Sequence, residues 1–569
     1  MNSKQIFRAR LVFLAVLCAA GVLVSSLYLT QVTYGLSYQA KASQQYVRPA
    51  VSLFDRGTIY FETKDGTRAA AATVASGFLI YMNPSLVTDP ESTYQSLAQY
   101  LKLDHAHFIA QAAKVGDHYE EIADKVEVAT ATSIANLALK GVNVTKETWR
   151  AYPGGTMAAH ELGLVAENGT SSVEGRYGLE ASYQKVLDRP GLTPSMNVFA
   201  DLFSNARTTT SGSAGQGDVV STIEPTVQDY LEKVLASTTA TWHPDEIGGI
   251  VIDPKTGEIV AMSSIPTFNA NDLSNVKNPR IFSNPMVENV YEMGSIMKPL
   301  TMATALDSGA EQPDSTYDDT GTMTLSGRKI SNFDGVARGV IPMQQILSQS
   351  LNVGAATIAL KVGKDNFSKY FLSFGLGQKT GIDEPNESTG IVGNLHTGRD
   401  IEIATAAYGQ GIAVSPVAMA RALSILANGG YLVTPHLVKE IDYENSTVKQ
   451  ILPPPQGPLL KPQTVNDVTK MLVQVVDVAL AHGAIKLDHY SVAAKTGTAQ
   501  IANPAGGGYY SDRYLHSFFG YFPAYQPRFL VFLYQVYPKG AEYASATLTD
   551  PFSQITRFLI NYYNVPPDR

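Results

Sequence analysis

Three short residue sets stand in a fixed order: Ser295-Ile296-Met297-Lys298, then Ser350-Leu351-Asn352, then Lys495-Thr496-Gly497. Together they supply a nucleophile, a proton relay and a cationic anchor for a carboxylate. A fold that uses them must gather three distant segments around one point. The chemistry they imply is acyl transfer through a serine ester.

Each set alone is common, and the chain shows this itself. Ser-x-x-Lys recurs at 182–185, 274–277, 326–329 and 446–449, Lys-Thr-Gly at 255–257 and 379–381, and Ser-x-Asn at 195–197. Context separates the copies. Gly294 precedes Ser295 and lets the chain turn sharply into an apolar run. Ser295 is then expected at a helix start, where free N–H groups favour a developing negative charge. Lys298 falls on the same helical face, and Pro299 is tolerated near a helix start. The rival pairs lack such a setting. Lys255 lies in Asp253-Pro254-Lys255-Thr256-Gly257 between two strand-like runs, a hairpin turn. Lys379 lies in a Gly-rich loop. Lys495 instead lies inside a strand-like run, whose edge can pair with an extended peptide.

The chain has 569 residues, too many for one typical domain. A net charge of −8 argues against a nucleic-acid partner. No phosphate-binding loop and no zinc spacing occurs, so no metal and no cofactor is expected. His160-Glu161 has no second His four residues on, and Asp104-His105-Ala106-His107 reads as a solvated helix face. Residues 11–29 are nearly all apolar and, at about 1.5 Å per residue, span a bilayer core. Lys4, Arg8 and Arg10 precede them, which keeps residues 1–10 cytoplasmic and the rest of the chain outside. The alternative is a cleaved signal peptide. The nearest small-x-small site, Ala40-Lys41-Ala42, lies well past the apolar end, which favours an uncleaved anchor. Cys18, the single cysteine, falls inside this segment after Leu17, which does not fit a lipoprotein site.

Residues 30–217 read as an N-terminal domain of mixed strands with one helical stretch over 92–135. The small, polar run 208–217 reads as a linker. Residues 218–569 read as an α/β (α+β) sandwich: an antiparallel sheet with helices on both faces. Its expected helices include 225–236, 342–362 and 415–428. Its expected late strands are 491–501, 517–522 and 529–537.

These triplets in this order, with the anchor and the two-part layout, resemble class B penicillin-binding proteins, which are peptidoglycan D,D-transpeptidases. Arg56-Gly57-Thr58-Ile59-Tyr60 resembles the family's start after the anchor. Gly175-Arg176-Tyr177-Gly178-Leu179-Glu180 resembles its Gly-x-x-Gly-Leu-Glu segment, and Gly409-Gln410-Gly411 its Gly-Gln-Gly segment. Met293 where Pro is frequent, Leu351 at the centre of the middle triplet, Phe61 and Glu62 after Tyr60, and Glu224 for Asp mark a divergent member. The resemblance implies a penicillin-binding transpeptidase fold on an elongated dimerisation-type pedestal.

The expected catalytic residues are Ser295, Lys298, Ser350, Asn352 and Lys495, with Thr496, Gly497 and Thr498 at the substrate. Lys298 serves as base if burial and the Lys495 charge depress its pKa. Ser350 is expected to pass a proton toward the leaving amine, and Asn352 to hydrogen-bond Lys298 and the substrate's peptide amide. Backbone N–H groups of Ser295 and Thr498 form the oxyanion hole. The implied partners are peptidoglycan stem peptides, β-lactams as covalent inhibitors, and a membrane glycosyltransferase. The Gly-Gln-Gly segment and the lengths resemble the division (septal) type more than the elongation type. A serine β-lactamase is one rival; Glu384-Pro385-Asn386-Glu387-Ser388 imitates the start of its deacylation loop but has Ser388 at the Asn position. A D,D-carboxypeptidase and a non-catalytic scaffold or sensor are the others.

Overall fold

Strands long enough to be buried on both faces set the frame around the triplets. A computed structural model describes residues 55–114, 116–167, 173–189 and 215–569. The central sheet holds β1 (Glu246–Ile252), β2 (Ile259–Ile265), β3 (Ala493–Ala502), β4 (Tyr509–Phe522) and β5 (Phe529–Val536). Its order is β2-β1-β5-β4-β3, with every neighbouring pair antiparallel. The inner strands β1 and β5 are apolar almost throughout and buried along nearly their whole length. That pattern requires cover on both faces. Gly248 and Gly249 show the two covers: a Cβ on the first would meet Met286, and one on the second would meet Leu231 of α1 (Pro225–Trp242). The Asp253–Gly257 turn joins β1 to β2 as the hairpin expected, with Gly257 at φ +87°.

Helix α1 begins where Pro225 follows Glu224, whose carboxylate accepts from Val227 N at 2.7 Å. It runs to Trp242, beyond the expected end at 236. Four further helices belong to this unit: α2 (Lys298–Asp307), α3 (Asn352–Val362), α4 (Pro416–Ser424) and α5 (Pro462–Gln474), of which α2 and α3 begin at site residues. Helix α6 (Thr549–Tyr562) lies beside α1, where Tyr230 and Phe558 stack with centroids 3.9 Å apart. The antiparallel sheet with helices on both faces is as expected, though β4 begins at Tyr509 rather than at 517.

Two expected helices are broken. The stretch 342–362 is a short helix Gln344–Ser348, a break at Ser350 with φ +56°, and then α3. Both pieces have apolar core faces, Ile346 and Leu347 before the break and Val353, Ala356 and Ala359 after it. Periodicity alone therefore hides the interruption. The stretch 92–135 belongs to a second unit, residues 75–149. It is three helices, Pro90–Leu97, His105–Ala112 and Val128–Asn136, with the strand Glu120–Val126 before the last. Asp89 and Asp104 cap the first two helices, through Ser92 N and His107 N. In this unit the strand Glu120–Val126 pairs antiparallel with residues 78–82. Its small core includes Ile80, Leu97, Phe108, Val126 and Ile134.

The larger unit comprises residues 55–74, 150–189 and 215–569 as described. Within it the segments singled out by Arg56 and Glu180 meet. Arg56 Nε and Arg150 Nε each donate to the Glu180 carboxylate at 2.6 Å, all three side chains being buried. The apolar stretch 11–29 and residues 208–214 of the small, polar run lie outside the described residues. Among the described residues no helix is long and apolar enough to cross a membrane.

Candidate active site

Gly294 takes φ +64°, which a residue with a Cβ adopts at a cost. A Cβ there would also approach Thr498 O to 2.9 Å. Gly409 packs against the same turn: its carbonyl accepts from Gly294 N at 3.2 Å, and a Cβ on it would meet Gly294 O at 2.3 Å. The Gly-Gln-Gly segment therefore holds the nucleophile's turn by close backbone approach. Residues Gly294–Met297 form one 3₁₀ turn that leads directly into α2. Ser295 thus sits on the turn before the helix, and Lys298 is its first helical residue.

Lys298 is fully buried, and its amine has four oxygens around it. Nζ lies 2.9 Å from Ser295 Oγ, 2.8 Å from Asn352 Oδ1, 2.5 Å from Ser350 O and 3.2 Å from Ser350 Oγ. The orientation of the Asn352 amide follows from its other end, where Nδ2 donates to Ser331 O at 3.1 Å. Two of the four oxygens, Ser350 O and Asn352 Oδ1, can only accept. A neutral amine has two N–H bonds and one lone pair. The obligate acceptors take both N–H bonds, and the lone pair is left for a hydroxyl. Burial, and then the nearby charge of Lys495, push the Lys298 pKa well below its usual value.

The break before α3 makes this arrangement possible. Ser350 in the left-handed region costs about 1 kcal/mol. In return both its carbonyl and its hydroxyl reach the lysines. Lys495 Nζ donates to Ser350 Oγ at 3.0 Å and to Thr496 O at 2.9 Å. An ammonium there keeps one further proton for a ligand. Burial pushes the Lys495 pKa down to about 7, so a carboxylate arriving beside it would restore its charge.

All the sequence-predicted site residues come together. Ser295, Ser350, Asn352, Thr496 and Thr498 line one cleft of about 680 Å³. Gly497, between Thr496 and Thr498, is buried, and a Cβ there would strike Ser517 Oγ at 2.3 Å. Strand β3 is the edge of its sheet, so its outer side is available to an extended ligand. The rival lysines among the described residues are surface features: Lys185, Lys255, Lys277, Lys379 and Lys449 are all exposed, while the Ser-x-Asn copy at 195–197 lies outside the described residues. Lys329 is exposed as well but does line the cleft. Sequence reasoning missed the cleft residues Phe333, Tyr408, Glu542 and Tyr543. Phe333, Glu542 and Tyr543 sit on loops without a motif; Tyr408 directly precedes the Gly-Gln-Gly segment, whose Gln410 also lines the cleft. The exposed rings of Phe333 and Tyr543 lie 6.3 Å apart, edge to face. Glu384 does not line this cleft; it is buried, with Asn284 Nδ2 3.3 Å from its carboxylate.

A serine on a tight turn, a buried amine at its hydroxyl and a second lysine on a flanking edge strand define a serine acyltransferase. Residues 247–556 match the penicillin binding protein transpeptidase domain, and residues 54–189 match the penicillin-binding protein dimerisation domain. The chain belongs to the penicillin-binding-protein transpeptidase family, as a class B member. It is 31% identical to the stage V sporulation protein D of Bacillus subtilis, over 86% of this chain and 76% of that one. It is 27% identical to the peptidoglycan D,D-transpeptidase FtsI of Escherichia coli, over 79% of this chain and 73% of that one. The fold is also that of penicillin binding protein 2X from Streptococcus thermophilus, with a TM-score of 0.72 at 22% identity, over 90% of this chain and 80% of that one.

Proposed function

We propose that this enzyme cross-links peptidoglycan by D,D-transpeptidation through an acyl-Ser295 intermediate. The observation that carries the reading is the Lys298 amine. Two obligate acceptors hold its N–H bonds, and Ser295 Oγ lies 2.9 Å from Nζ. In this reading Lys298 takes the Ser295 proton as the oxygen attacks the penultimate D-alanine carbonyl. Backbone N–H groups of Ser295 and Thr498 stabilise the oxyanion. Ser350 passes a proton to the departing D-alanine amine. Lys495, Thr496 and Thr498 hold the terminal carboxylate, with Gly497 leaving room for the strand. The amine of a second stem peptide then attacks the ester. A β-lactam enters the same cycle and remains as a slowly hydrolysed ester.

The test is labelling with a fluorescent penicillin, followed by mass spectrometry of the modified peptide. The label belongs on Ser295, and Ser295→Ala abolishes it; label on Ser182 would refute the assignment. Rapid β-lactam turnover would favour a β-lactamase instead. The position of Glu384 away from the cleft argues against that rival, whose deacylating carboxylate must reach the ester.

The organisation is proposed in the same terms: residues 1–10 cytoplasmic, a single-pass anchor at 11–29, a dimerisation-type pedestal to a linker at 208–217, and the catalytic domain 218–569 outside the cytoplasm. A membrane glycosyltransferase partner and a septal role complete the reading, with an elongation role as its alternative. Depletion followed by microscopy separates these, since filaments mean division and rounded cells mean elongation. Residues 30–569 alone are expected to be soluble and still acylated, because all three triplets lie beyond the linker.

A further inference from the structure

Behind the cleft, a buried histidine holds one of its walls. His516 lies on β4 directly opposite Thr498 of β3, so the two side chains share a face. Its Nε2 is 3.0 Å from Glu542 O, and its Nδ1 is 2.8 Å from Thr547 Oγ1. A carbonyl only accepts, so Nε2 carries the proton, and Nδ1 accepts from the Thr547 hydroxyl. Burial pushes the imidazole pKa down to about 4, which keeps the ring in this neutral form near neutral pH.

The same segment is tied a third time. Ala544 N–H donates to Thr498 Oγ1 at 3.0 Å. With that lone pair taken, the Thr498 hydroxyl proton is free for a ligand in the cleft. Glu542, Tyr543 and Ser545 line the cleft together with Ser295 and Thr498. The next strand offers no substitute hold. Gln535, opposite His516 on β5, is buried with neither amide atom paired among the described residues.

We propose that His516 is a positioning residue for ligand recognition: it fixes segment 542–547 and, through Ala544, aims the Thr498 hydroxyl at the carboxylate-bearing end of the ligand. The inference rests on the acyl-transfer reading above. Acylation of the unaltered protein by benzylpenicillin tests that reading, and the variants test the inference.

Stopped-flow acylation with benzylpenicillin separates the non-covalent dissociation constant from the acylation rate constant. His516→Leu removes both hydrogen bonds and should weaken non-covalent binding by about tenfold or more, the scale of one or two lost hydrogen bonds. The acylation rate constant should change by less than about threefold, because Lys298 and Ser350 are untouched. His516→Gln can still place a donor near Glu542 O and should recover most of the binding. Thr547→Val, which removes the hydroxyl at Nδ1 together with its weak 3.5 Å bond to Ala544 O but leaves the Nε2 bond to Glu542 O, should weaken binding less than His516→Leu but measurably; it decides the matter if His516→Leu does not fold. A loss in the rate constant with binding unchanged would overturn the proposal. So would a His516→Gln protein no better than His516→Leu, or unchanged binding in Thr547→Val accompanied only by a lower melting temperature.

Discussion

Lys298, at the start of α2, has four oxygens around its amine; Lys495, on the edge strand β3, has two. Both side chains are buried, and burial lowers both pKa values. Yet the two environments suit opposite charge states. Around Lys298 the obligate acceptors number two, the same as the N–H bonds of a neutral amine. Around Lys495 the two partners, Ser350 Oγ and Thr496 O, leave one ammonium proton unused. Burial alone therefore does not assign a lysine's role. The partner count, and which partners are unable to donate, decide whether it acts as a base or as an anchor.

The largest break in that comparison comes from Lys298. Lys298→Ala should slow acylation by roughly a thousandfold or more, the sum of a lost base and lost positioning. Lys298→Arg should be nearly as damaging, because a guanidinium does not give up its proton near neutral pH. Rate constants for β-lactam acylation check both. Near-normal acylation by the Arg variant would mean that Lys298 acts only as a charge, and the contrast with Lys495 would vanish.

A smaller effect is expected at Lys495, and it should be selective. Removing a charge-assisted bond to a carboxylate costs about 1.5–3 kcal/mol. Lys495→Ala should lose that much with an acid ligand and scarcely anything with its ester. The cycle of enzyme charge against ligand carboxylate measures the coupling. Coupling near zero, with equal losses for acid and ester, would make Lys495 a modulator of Lys298 and put the anchor elsewhere.

A third effect concerns the amide that orients Lys298. Asn352→Ala removes one of the two obligate acceptors and frees an amine N–H. Acylation should fall by about tenfold to a hundredfold, less than for Lys298→Ala because the base itself remains. Asn352→Asp keeps an acceptor but adds a negative charge, which favours the protonated amine and should raise the pH at which acylation begins. An Asp variant with an unaltered pH profile would mean that Asn352 does not govern the charge of Lys298.

The sequence told the two lysines from their copies because each needs a local setting that composition reveals: a glycine before an apolar run for Lys298, a strand-like run for Lys495. The sheet, its hairpin and its late strands were legible for the same reason. What was not legible depends on contacts between distant segments. The break at Ser350 is stabilised by two lysines that lie 52 and 145 residues away, and the apolar spacing on either side continues as if the helix were whole. Gly409 is needed where its backbone meets Gly294. His516 reads as an ordinary strand residue until the segment behind it folds over. In residues 92–135 the apolar spacing suggested one helix, but a strand at 120–126 pairs with a neighbour that helical periodicity does not register.

The smallest effect is a shift in pH dependence. Acylation by a carboxylate ligand requires Lys298 neutral and Lys495 charged. The rate should therefore rise with pH as Lys298 loses its proton, and fall above about 7 as Lys495 loses its own. An ester ligand has no use for the Lys495 charge, so its profile should lack the falling limb. In Lys495→Ala that limb should disappear with the acid ligand too. The rising limb should move to higher pH, because the repulsion that helps depress Lys298 is gone. The displacement should be modest, since burial is the larger cause of the depression and survives the substitution. Rates of acylation measured from pH 5 to 10, for acid and ester with both proteins, give all four profiles. A falling limb near 7 that persists in Lys495→Ala would belong to some other group. A rising limb that stays in place would mean the two lysines are too well screened from each other to be coupled.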